Sequence, residues 1–315
     1  MGITLARHQA HVVKFEAQFP NYRKAWPKFL YRHEPIDNVI EILREGALLS
    51  RADAFQRRII INDIAPNDII NRNDAAHNFA RLYFRPRNPT QFHVEGIRKP
   101  EDFFQGKHGG FLVMLLFNSE KVLTTHGTQF SCGNMQSGTS TVQDGDHGFD
   151  VLNFDAIYHD IAYPDANVIR QRCAEVLPVS PFPLEETLEH IVVRTDADVL
   201  TLKYLLSNAG LATYLPKVRK TTGGGIFFDW YTAFDFIDTA PGRIIFKVRP
   251  SRSNGDIATQ LDVFSPDGQN KLVSVDCELL GATTYFIEHT LAPGQYLAIA
   301  NLEGCFAHKS MITIS

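Results

Sequence analysis

A run of two threonines and three glycines, Thr221 to Gly225, divides the chain into two parts with different patterns. Consecutive glycines have no side chains to pack and are typical of flexible connections. After this run, short strand-like segments are separated by turns such as Ser265-Pro266-Asp267-Gly268, a spacing typical of an antiparallel β-sandwich. We therefore expect two domains, residues 1–222 and 226–315. The strands expected in the second domain are Ile244–Val248, Leu261–Phe264, Leu272–Val275, Thr284–Ile287 and Tyr296–Ala300.

The part before the glycines mixes helical and strand patterns. Apolar residues recur with helical spacing from Ile36 to Glu45, and Gly46 follows where a helix commonly ends. Phe111 to Phe117 is a continuous apolar run that predicts a buried strand. Residues 184–190 are expected to form a short helix, followed by a strand at residues 191–193. This mixture predicts an α+β fold for the first domain.

The composition places the chain among ordinary globular proteins. Of its 315 residues, 44% are hydrophobic and 21% are charged. The four cysteines are far apart and form no CxxC pair, so neither a zinc site nor a disulfide framework is indicated. Since we find no signal-peptide pattern and no apolar run of membrane-spanning length, we expect a cytoplasmic location without membrane association.

The net charge of −4 is unevenly distributed along the chain. The first hundred residues hold 16 Lys and Arg against 10 Asp and Glu. Such a basic region is compatible with a polyanionic partner such as a nucleic acid, and equally with a solvated protein surface.

One carboxylate stands at the start of an apolar run. Glu175 follows a basic segment that contains Arg170 and Arg172, and Val176-Leu177 continue as a short buried strand. A carboxylate fixed at a strand start can face a cleft and take part in chemistry. The alternative is a surface glutamate paired with one of the two arginines.

Four stretches resemble, in order, the motifs of the DarT family of ADP-ribosyltransferases, toxins that modify DNA bases. The first is residues 30–39 with their helix and Gly46-Ala47-Leu48-Leu49. The others are residues 82–89 (Leu-Tyr-Phe-Arg-Pro-Arg-Asn-Pro), 130–134 (Phe-Ser-Cys-Gly-Asn) and 172–177 (Arg-Cys-Ala-Glu-Val-Leu). The resemblance covers about residues 29–195. It implies an ADP-ribosyltransferase-like split β core, and it leaves the C-terminal β domain outside.

The resemblance also implies roles for particular residues. Glu175 matches the catalytic glutamate of the family. An essential arginine in the loop before the Tyr-Phe strand is expected at Arg72, with Arg57 and Arg58 as rivals. The adenosine side of NAD is expected at Arg32 or His33, because the family histidine stands six places before the asparagine, where this chain has Arg32. NAD contacts are further expected at Asn38 and Tyr83, and substrate contacts at Asn134 and Arg85.

Each of these residues also has a structural interpretation. Asn38 is equally a local hydrogen-bonding residue at a helix start, Asn134 a turn residue, and Tyr83 a core residue. The stretch Ser131 to Asn134 stands where the family has Thr-Asp-x-Asn, so the choice of base stays open.

The expected function is NAD-dependent mono-ADP-ribosylation of a base in single-stranded DNA, with NAD as substrate and without a metal. The enzyme would act as a toxin in a toxin–antitoxin or phage-defence system. An antitoxin that removes ADP-ribose or binds the toxin would be its partner. RNA or protein is the alternative acceptor, and a catalytically idle fold that binds a partner is the alternative of another class.

Overall fold

The computed structural model describes residues 2–59, 61–64, 78–135, 140–162, 164–223, 225–252 and 255–315. The chain folds into two compact units, each assembled from several stretches of sequence. The first contains Met1–His93, Val113–Ile191 and Thr222–Phe227, and the second contains Val94–Leu112, Val192–Thr221 and Phe228–Ser315. The second unit thus includes two stretches that lie before the predicted boundary at residues 222–226, and that boundary stays a prediction.

The first unit is built mainly from short elements. Its helices are α1 (Leu5–Gln18), α2 (Ile36–Glu45), α3 (Arg51–Gln56), α4 (Pro89–Val94), α5 (Ser119–Thr124), α6 (Gly145–Asp150), α7 (Phe154–Ile157) and α8 (Ala166–Gln171). Its strands are β1 (Phe29–Pro35), β2 (Ala47–Leu48), β3 (Leu82–Tyr83), β4 (Leu112–Asn118), β5 (Gln129–Ser131), β6 (Val142–Gln143), β7 (Glu175–Leu177), β8 (Phe182–Pro183) and β9 (Leu188–Val193). Single 3₁₀ turns occupy Asn21–Arg23 and Trp26–Lys28.

Seven of these strands follow one another in a sheet, in the order β9-β4-β1-β3-β7-β5-β6. The short strand β3 pairs antiparallel with both β1 and β7. Strand β4 is buried from Leu112 to Phe117, as its continuous apolar sequence predicts. A second, two-stranded sheet joins β2 to β8.

Helix α2 has the predicted bounds and buries one apolar face. Ile36, Val39 and Leu43 are buried, and Ile42 completes the face where Ile40 is only partly covered. The helix ends at Gly46, whose φ of +71° lies in the left-handed region that glycine adopts without steric cost. The helix therefore begins directly after β1 and returns the chain to β2.

The second unit contains the expected antiparallel β-sandwich. Its elements are α9 (Asp196–Asn208), β10 (Val218–Lys220), β11 (Phe234–Ala240), β12 (Arg243–Val248), β13 (Ile257–Phe264), β14 (Lys271–Leu279), β15 (Thr284–Glu288), β16 (Gly294–Leu302) and β17 (Cys305–Ile314), with 3₁₀ turns at Pro100–Asp102 and Ala212–Lys217. One sheet has the order β11-β12-β15 and the other β14-β13-β16-β17. Residues such as Phe246 and Leu261, from the two sheets, share one apolar core. The fold prediction, an α+β part followed by an all-β part, is therefore confirmed.

The predicted helix at residues 184–190 is wrong. Only one turn forms, in which the Leu188 N–H donates to the Leu184 carbonyl over 2.9 Å. From Leu188 onward the chain is strand β9, because the apolar residues Leu188, Ile191 and Val193 are all buried beside β4. Over the described ranges, no helix is long and apolar enough to cross a membrane.

Candidate active site

Three neighbouring strands of the first unit bring two tyrosines and a glutamate into line. Tyr31 of β1 lies opposite Tyr83 of β3, and Tyr83 lies opposite Glu175 of β7. Residues directly opposite one another in an antiparallel pair point to the same face of a sheet. The three side chains therefore form a row across the sheet, and this row is the centre of the candidate site.

Glu175 is completely buried, with 0% of its surface exposed. Its Oε2 accepts a hydrogen bond from the backbone N–H of Met135 over 3.0 Å, and its own N–H donates to Ser131 Oγ over 3.3 Å. Burial raises the pKa of the Glu175 carboxyl, whereas Arg81, the Met135 N–H, Arg32 and the Tyr83 hydroxyl act in the opposite direction. Its Oε1 has no hydrogen-bond partner in the described part of the chain.

Arg81 is the residue that the sequence analysis missed. Its Nη1 lies 3.7 Å from Glu175 Oε1, and its side chain is only 15% exposed. The sequence did contain a signal, because Arg81 and Tyr83 are two residues apart and alternate residues of a strand share a face. Arg72, the arginine predicted for the preceding loop, lies outside the described residues. The rival Arg57 pairs with Glu45, and Arg58 follows α3 with a φ of +58°.

Arg32 and His33 are neighbours in β1, but their side chains lie in different environments. The Arg32 Nε donates to Glu34 Oε1 over 2.7 Å, and its Nη1 donates to the backbone carbonyl of Arg81 over 3.2 Å. His33 stacks on Tyr83 with 5.5 Å between ring centroids. Burial lowers the pKa of His33 to about 3, with Arg32 as the second cause, so the ring is neutral at physiological pH. Its Nδ1 is buried and has no hydrogen-bond partner among the described residues.

The Asn38 amide holds a neighbouring segment in place. Its Oδ1 accepts from the backbone N–H groups of Ile61 and Asn62 over 3.0 and 2.9 Å. Its Nδ2 donates to Glu34 Oε2 over 3.0 Å and to the Asn62 carbonyl over 2.8 Å. All four hydrogen-bonding positions of this amide, two on the oxygen and two on the nitrogen, are thus engaged within the protein.

Arg85 is buried behind the site rather than presented in it. Its guanidinium donates to the carbonyls of Pro86 and His159 and pairs with Asp160 Oδ1 at 2.7 Å. It also lies over the ring of Trp26, 4.7 Å from the centroid. Burial lowers the pKa of Arg85 to about 10. The structure therefore places Arg85, unlike Tyr83, His33 and Glu175, where its donors serve the protein itself.

Asn134 adjoins the carboxylate through its neighbour in sequence. It directly precedes Met135, whose N–H binds Glu175, and its own carbonyl accepts from Ser140 Oγ over 2.8 Å. Two residues earlier, Cys132 Sγ accepts a hydrogen bond from Arg170 over 3.5 Å. The segment from Cys132 to Met135 therefore connects α8 to the candidate catalytic carboxylate.

No group of three or more His, Cys, Asp or Glu within the described ranges could hold a metal ion. What the residues do provide is a buried carboxylate with positive charge and aromatic rings beside it, an arrangement suited to stabilising a developing cation.

The chain is similar to known proteins in sequence family and in structure. Thermus sp. 2.9 DarT in complex with ADP-ribosylated ssDNA aligns with a TM-score of 0.49 and 18% identity, over 64% of this chain and 96% of that chain. Thermus sp. 2.9 DarT in complex with NAD⁺ aligns with a TM-score of 0.46 and 17% identity, over 64% and 97%. Thermosipho africanus DarTG in complex with ADP-ribose aligns with a TM-score of 0.46 and 20% identity, and the aligned part is 67% of this chain and 53% of that protein. Among curated proteins there is no significant match.

The sequence-family comparison is the decisive one. The model of the family described as "ssDNA thymidine ADP-ribosyltransferase, DarT" matches residues 31–230, which is more than half of the chain. The match contains the Tyr31–Tyr83–Glu175 row and all seven sequence-predicted site residues that the structure describes. The chain therefore belongs to the DarT family of ADP-ribosyltransferases.

Proposed function

We propose that Glu175 is the catalytic carboxylate for transfer of ADP-ribose from NAD to thymidine in single-stranded DNA. The observation that supports this role most is the complete burial of an ionisable side chain at the centre of the sheet, between Tyr83, Arg81 and the Met135 N–H. Proteins rarely bury a carboxylate whose charge is only partly compensated unless it has a function.

The chemistry requires a carboxylate at this position. The bond between ribose C1′ and the nicotinamide nitrogen breaks, and nicotinamide leaves with the bonding electron pair. The ribose then has oxocarbenium character, which a nearby carboxylate stabilises. In thymidine, N3 is the ring nitrogen that carries a proton. When N3 attacks C1′, Glu175 accepts that proton as the general base.

For NAD itself, we assign the direct contacts to His33 and Tyr83. His33 is neutral, stacked on Tyr83 and has a buried Nδ1 that can hydrogen-bond a ligand. Arg32 contributes to the same region through its bonds to Glu34 and to the Arg81 carbonyl. Asn38 acts indirectly, because it holds the segment at Ile61 and Asn62. The assignment of Arg72 to the NAD phosphates stays a prediction.

The acceptor is expected on the side of Asn134, next to a concentration of positive charge. Arg85 and Arg87 share the carboxylate of Asp160, at 2.7 and 3.3 Å, and Arg172 donates to His159 beside it over 2.6 Å. Arg172 precedes Glu175 by three residues, so their Cα atoms lie within about 11 Å. Arg85 itself is buried, so the positive charge that favours a polyanionic acceptor such as DNA is that of Arg87 and Arg172, whose side chains are partly exposed.

Modification of thymidine in the cell's own DNA would block replication, so the enzyme is expected to act as a toxin in a toxin–antitoxin or phage-defence system. Its partner would be an antitoxin that removes ADP-ribose from DNA or binds the toxin. Both NAD and DNA are cytoplasmic in bacteria, and we place the enzyme there. RNA or protein as acceptor is the competing possibility for the same catalytic residues.

The test uses labelled NAD with single-stranded DNA, duplex DNA, RNA and lysate protein in separate reactions. Wild type should label single-stranded DNA at thymidine, and Glu175→Gln should lower the rate by about 10²–10⁴-fold, because the shape is kept while the charge is lost. Glu185→Gln, a change at an exposed glutamate, serves as the matched control and should be unaffected. Labelling of protein alone would refute the DNA assignment, and a fully active Glu175→Gln would refute the catalytic role. In the same assay, His33→Ala should raise the KM for NAD more than Arg32→Lys does.

A further inference from the structure

The two oxygens of the buried Glu175 carboxylate have different surroundings. Oε2 is fixed by the Met135 N–H at 3.0 Å, whereas Oε1 has no hydrogen-bond partner within the described residues. An ionised carboxylate that is completely buried requires compensation by positive charge, since desolvation strongly disfavours the anion.

The groups around this carboxylate come from three strands and one loop. Arg81 directly precedes β3, Tyr83 lies in β3, and Arg32 comes from β1. Cys173 precedes Glu175 by two residues, and the described part of the loop provides the Met135 N–H. Burial, followed by the charge of Glu175, raises the pKa of the Cys173 thiol to about 12, so this group is neutral. The Arg32 guanidinium already pairs with the buried Glu34. Among the described residues, the remaining positive charge beside Glu175 Oε1 is therefore that of Arg81.

The distance between the Arg81 guanidinium and the Glu175 carboxylate distinguishes an ion pair from a hydrogen bond. Arg81 Nη1 lies 3.7 Å from Glu175 Oε1, which is within ion-pair range but beyond a hydrogen bond of about 2.7–3.2 Å. At this distance the guanidinium stabilises the anion without occupying the lone pairs of Oε1. No described residue occupies those lone pairs, and they can accept a hydrogen bond or a proton from a substrate that reaches the carboxylate.

We infer that Arg81 is a positioning residue that keeps Glu175 ionised and aims its Oε1 at the substrate. This inference rests on the proposed catalytic role of Glu175. Arg81 also accepts, at its backbone carbonyl, a hydrogen bond of 3.2 Å from Arg32. The β3 segment thus connects the catalytic carboxylate to the strand that carries His33, and Arg81 is where both connections meet.

The direction of the expected effect follows from the charges. Because Arg81 lowers the pKa of Glu175 against the effect of burial, its removal raises that pKa. A general base works in its deprotonated form, so activity in the variant is lost at neutral pH and returns as the pH rises. A purely structural role would lower activity equally at every pH.

The experiment compares pH–rate profiles of kcat for Arg81→Gln, Arg81→Lys and wild type. For Arg81→Gln we expect the acid limb to move up by at least about one pH unit, which corresponds to a loss of about tenfold on that limb. Arg81→Lys retains a positive charge and should move the limb by less than half as much. The control is Arg44→Gln, which removes a half-exposed arginine of α2 and should leave the profile unchanged.

An unshifted acid limb in Arg81→Gln, or a uniform loss that Arg81→Lys does not reverse, would overturn the inference. Thermal unfolding of each variant shows whether a loss comes from unfolding, and the Lys variant keeps the test decisive if the Gln variant is unstable. The proposed function fails separately: in that case Glu175→Gln is as active as wild type. If Glu175→Gln is inactive while Arg81→Gln has a normal profile, only the role of Arg81 is wrong.

Discussion

The sheet that carries Glu175 and the sheets of the β-sandwich differ in how regular they are. Around Glu175, strands β3, β7 and β5 contain 2, 3 and 3 residues. In the sandwich, β13, β14, β16 and β17 contain 8, 9, 9 and 10 residues. The pairing of long strands is specified by the alternation of apolar and polar residues along each strand. Two or three residues contain little such information, so short strands depend on contacts from distant parts of the chain.

The two regions also differ in which kinds of side chain fill their interiors. The sandwich core is a cluster of apolar side chains such as Phe246 and Leu261. The region around Glu175 buries Glu34, Arg85 and His33 as well. A buried polar group contributes to stability only while its partners are in place, so this region depends on specific pairs rather than on total apolar area. Three perturbations test this difference.

The largest effect is expected where a buried charge pair of the first unit is broken. Arg85→Gln should lower the free energy of unfolding by about 3–5 kcal/mol, because Asp160 then loses its closest guanidinium partner in a buried position. The matched change in the sandwich is Arg243→Gln, which breaks a pair whose two side chains are 50% and 73% exposed. That change should cost less than about 1 kcal/mol. Urea unfolding of both variants measures the contrast, and equal losses would show that burial is not what distinguishes them.

An intermediate effect is expected from the anchoring amide. Asn38→Ala leaves the N–H groups of Ile61 and Asn62 without their acceptor and should cost about 1–3 kcal/mol. It should also raise the KM for NAD, since the segment that it anchors is no longer held against α2. Thr259→Val is the matched change within the long strand β13, where the Thr259 hydroxyl donates only to the Ile257 carbonyl over 3.0 Å. A Thr259→Val variant that alters the KM for NAD as strongly would contradict the proposed role of Asn38.

The smallest effect near neutral pH comes from a buried histidine, and this effect grows as the pH falls. Burial lowers the pKa of His11 to about 3, and His11 Nε2 lies 3.0 Å from the Tyr158 hydroxyl in an aromatic cluster. Below pH 6.5 the unfolded state takes up a proton that folded His11 does not. Stability is therefore complete above about pH 6.5 and falls as the pH decreases towards 3, by at most about 1.4 kcal/mol per pH unit.

Replacement of this histidine isolates its contribution. His11→Phe keeps the aromatic packing and should make the free energy of unfolding less dependent on pH between about 6.5 and 5. His126→Gln, at an exposed histidine, should leave that dependence as in wild type. Urea titrations at several pH values measure both slopes. Parallel slopes for wild type and His11→Phe would assign the pH dependence to other buried histidines, such as His308 of the sandwich, whose pKa burial lowers to about 4.

Predictions from sequence succeeded where the information is local. Helix α2 follows from apolar spacing and from the glycine that ends it, and the strands of the sandwich follow from alternation and turns. The position of Glu175 at the first residue of β7 was also apparent, because the apolar run begins directly after it.

The missed features all depend on residues far apart in sequence. The guanidinium of Arg85 is buried because the segment at His159 and Asp160 returns to it, which no local pattern reveals. Arg81 could have been found from its spacing to Tyr83, but its distance to Glu175 depends on the pairing of β3 with β7. Residues 184–190 have a helical pattern in sequence, but residues from Leu188 onward form strand β9. The strand forms because pairing with β4 buries its apolar side chains, which local sequence does not reveal.

The pairing of Tyr83 with Glu175 has a consequence for how this protein can evolve. Successive residues of a strand point to opposite faces, so the insertion or deletion of one residue between Arg81 and Tyr83 would turn Arg81 away from the face that Tyr83 shares with Glu175. Selection should therefore remove insertions and deletions within this stretch and tolerate those in the loops. Relatives of this chain are expected to vary freely in the number of residues between elements, while the distance in sequence from Arg81 to Tyr83 stays constant.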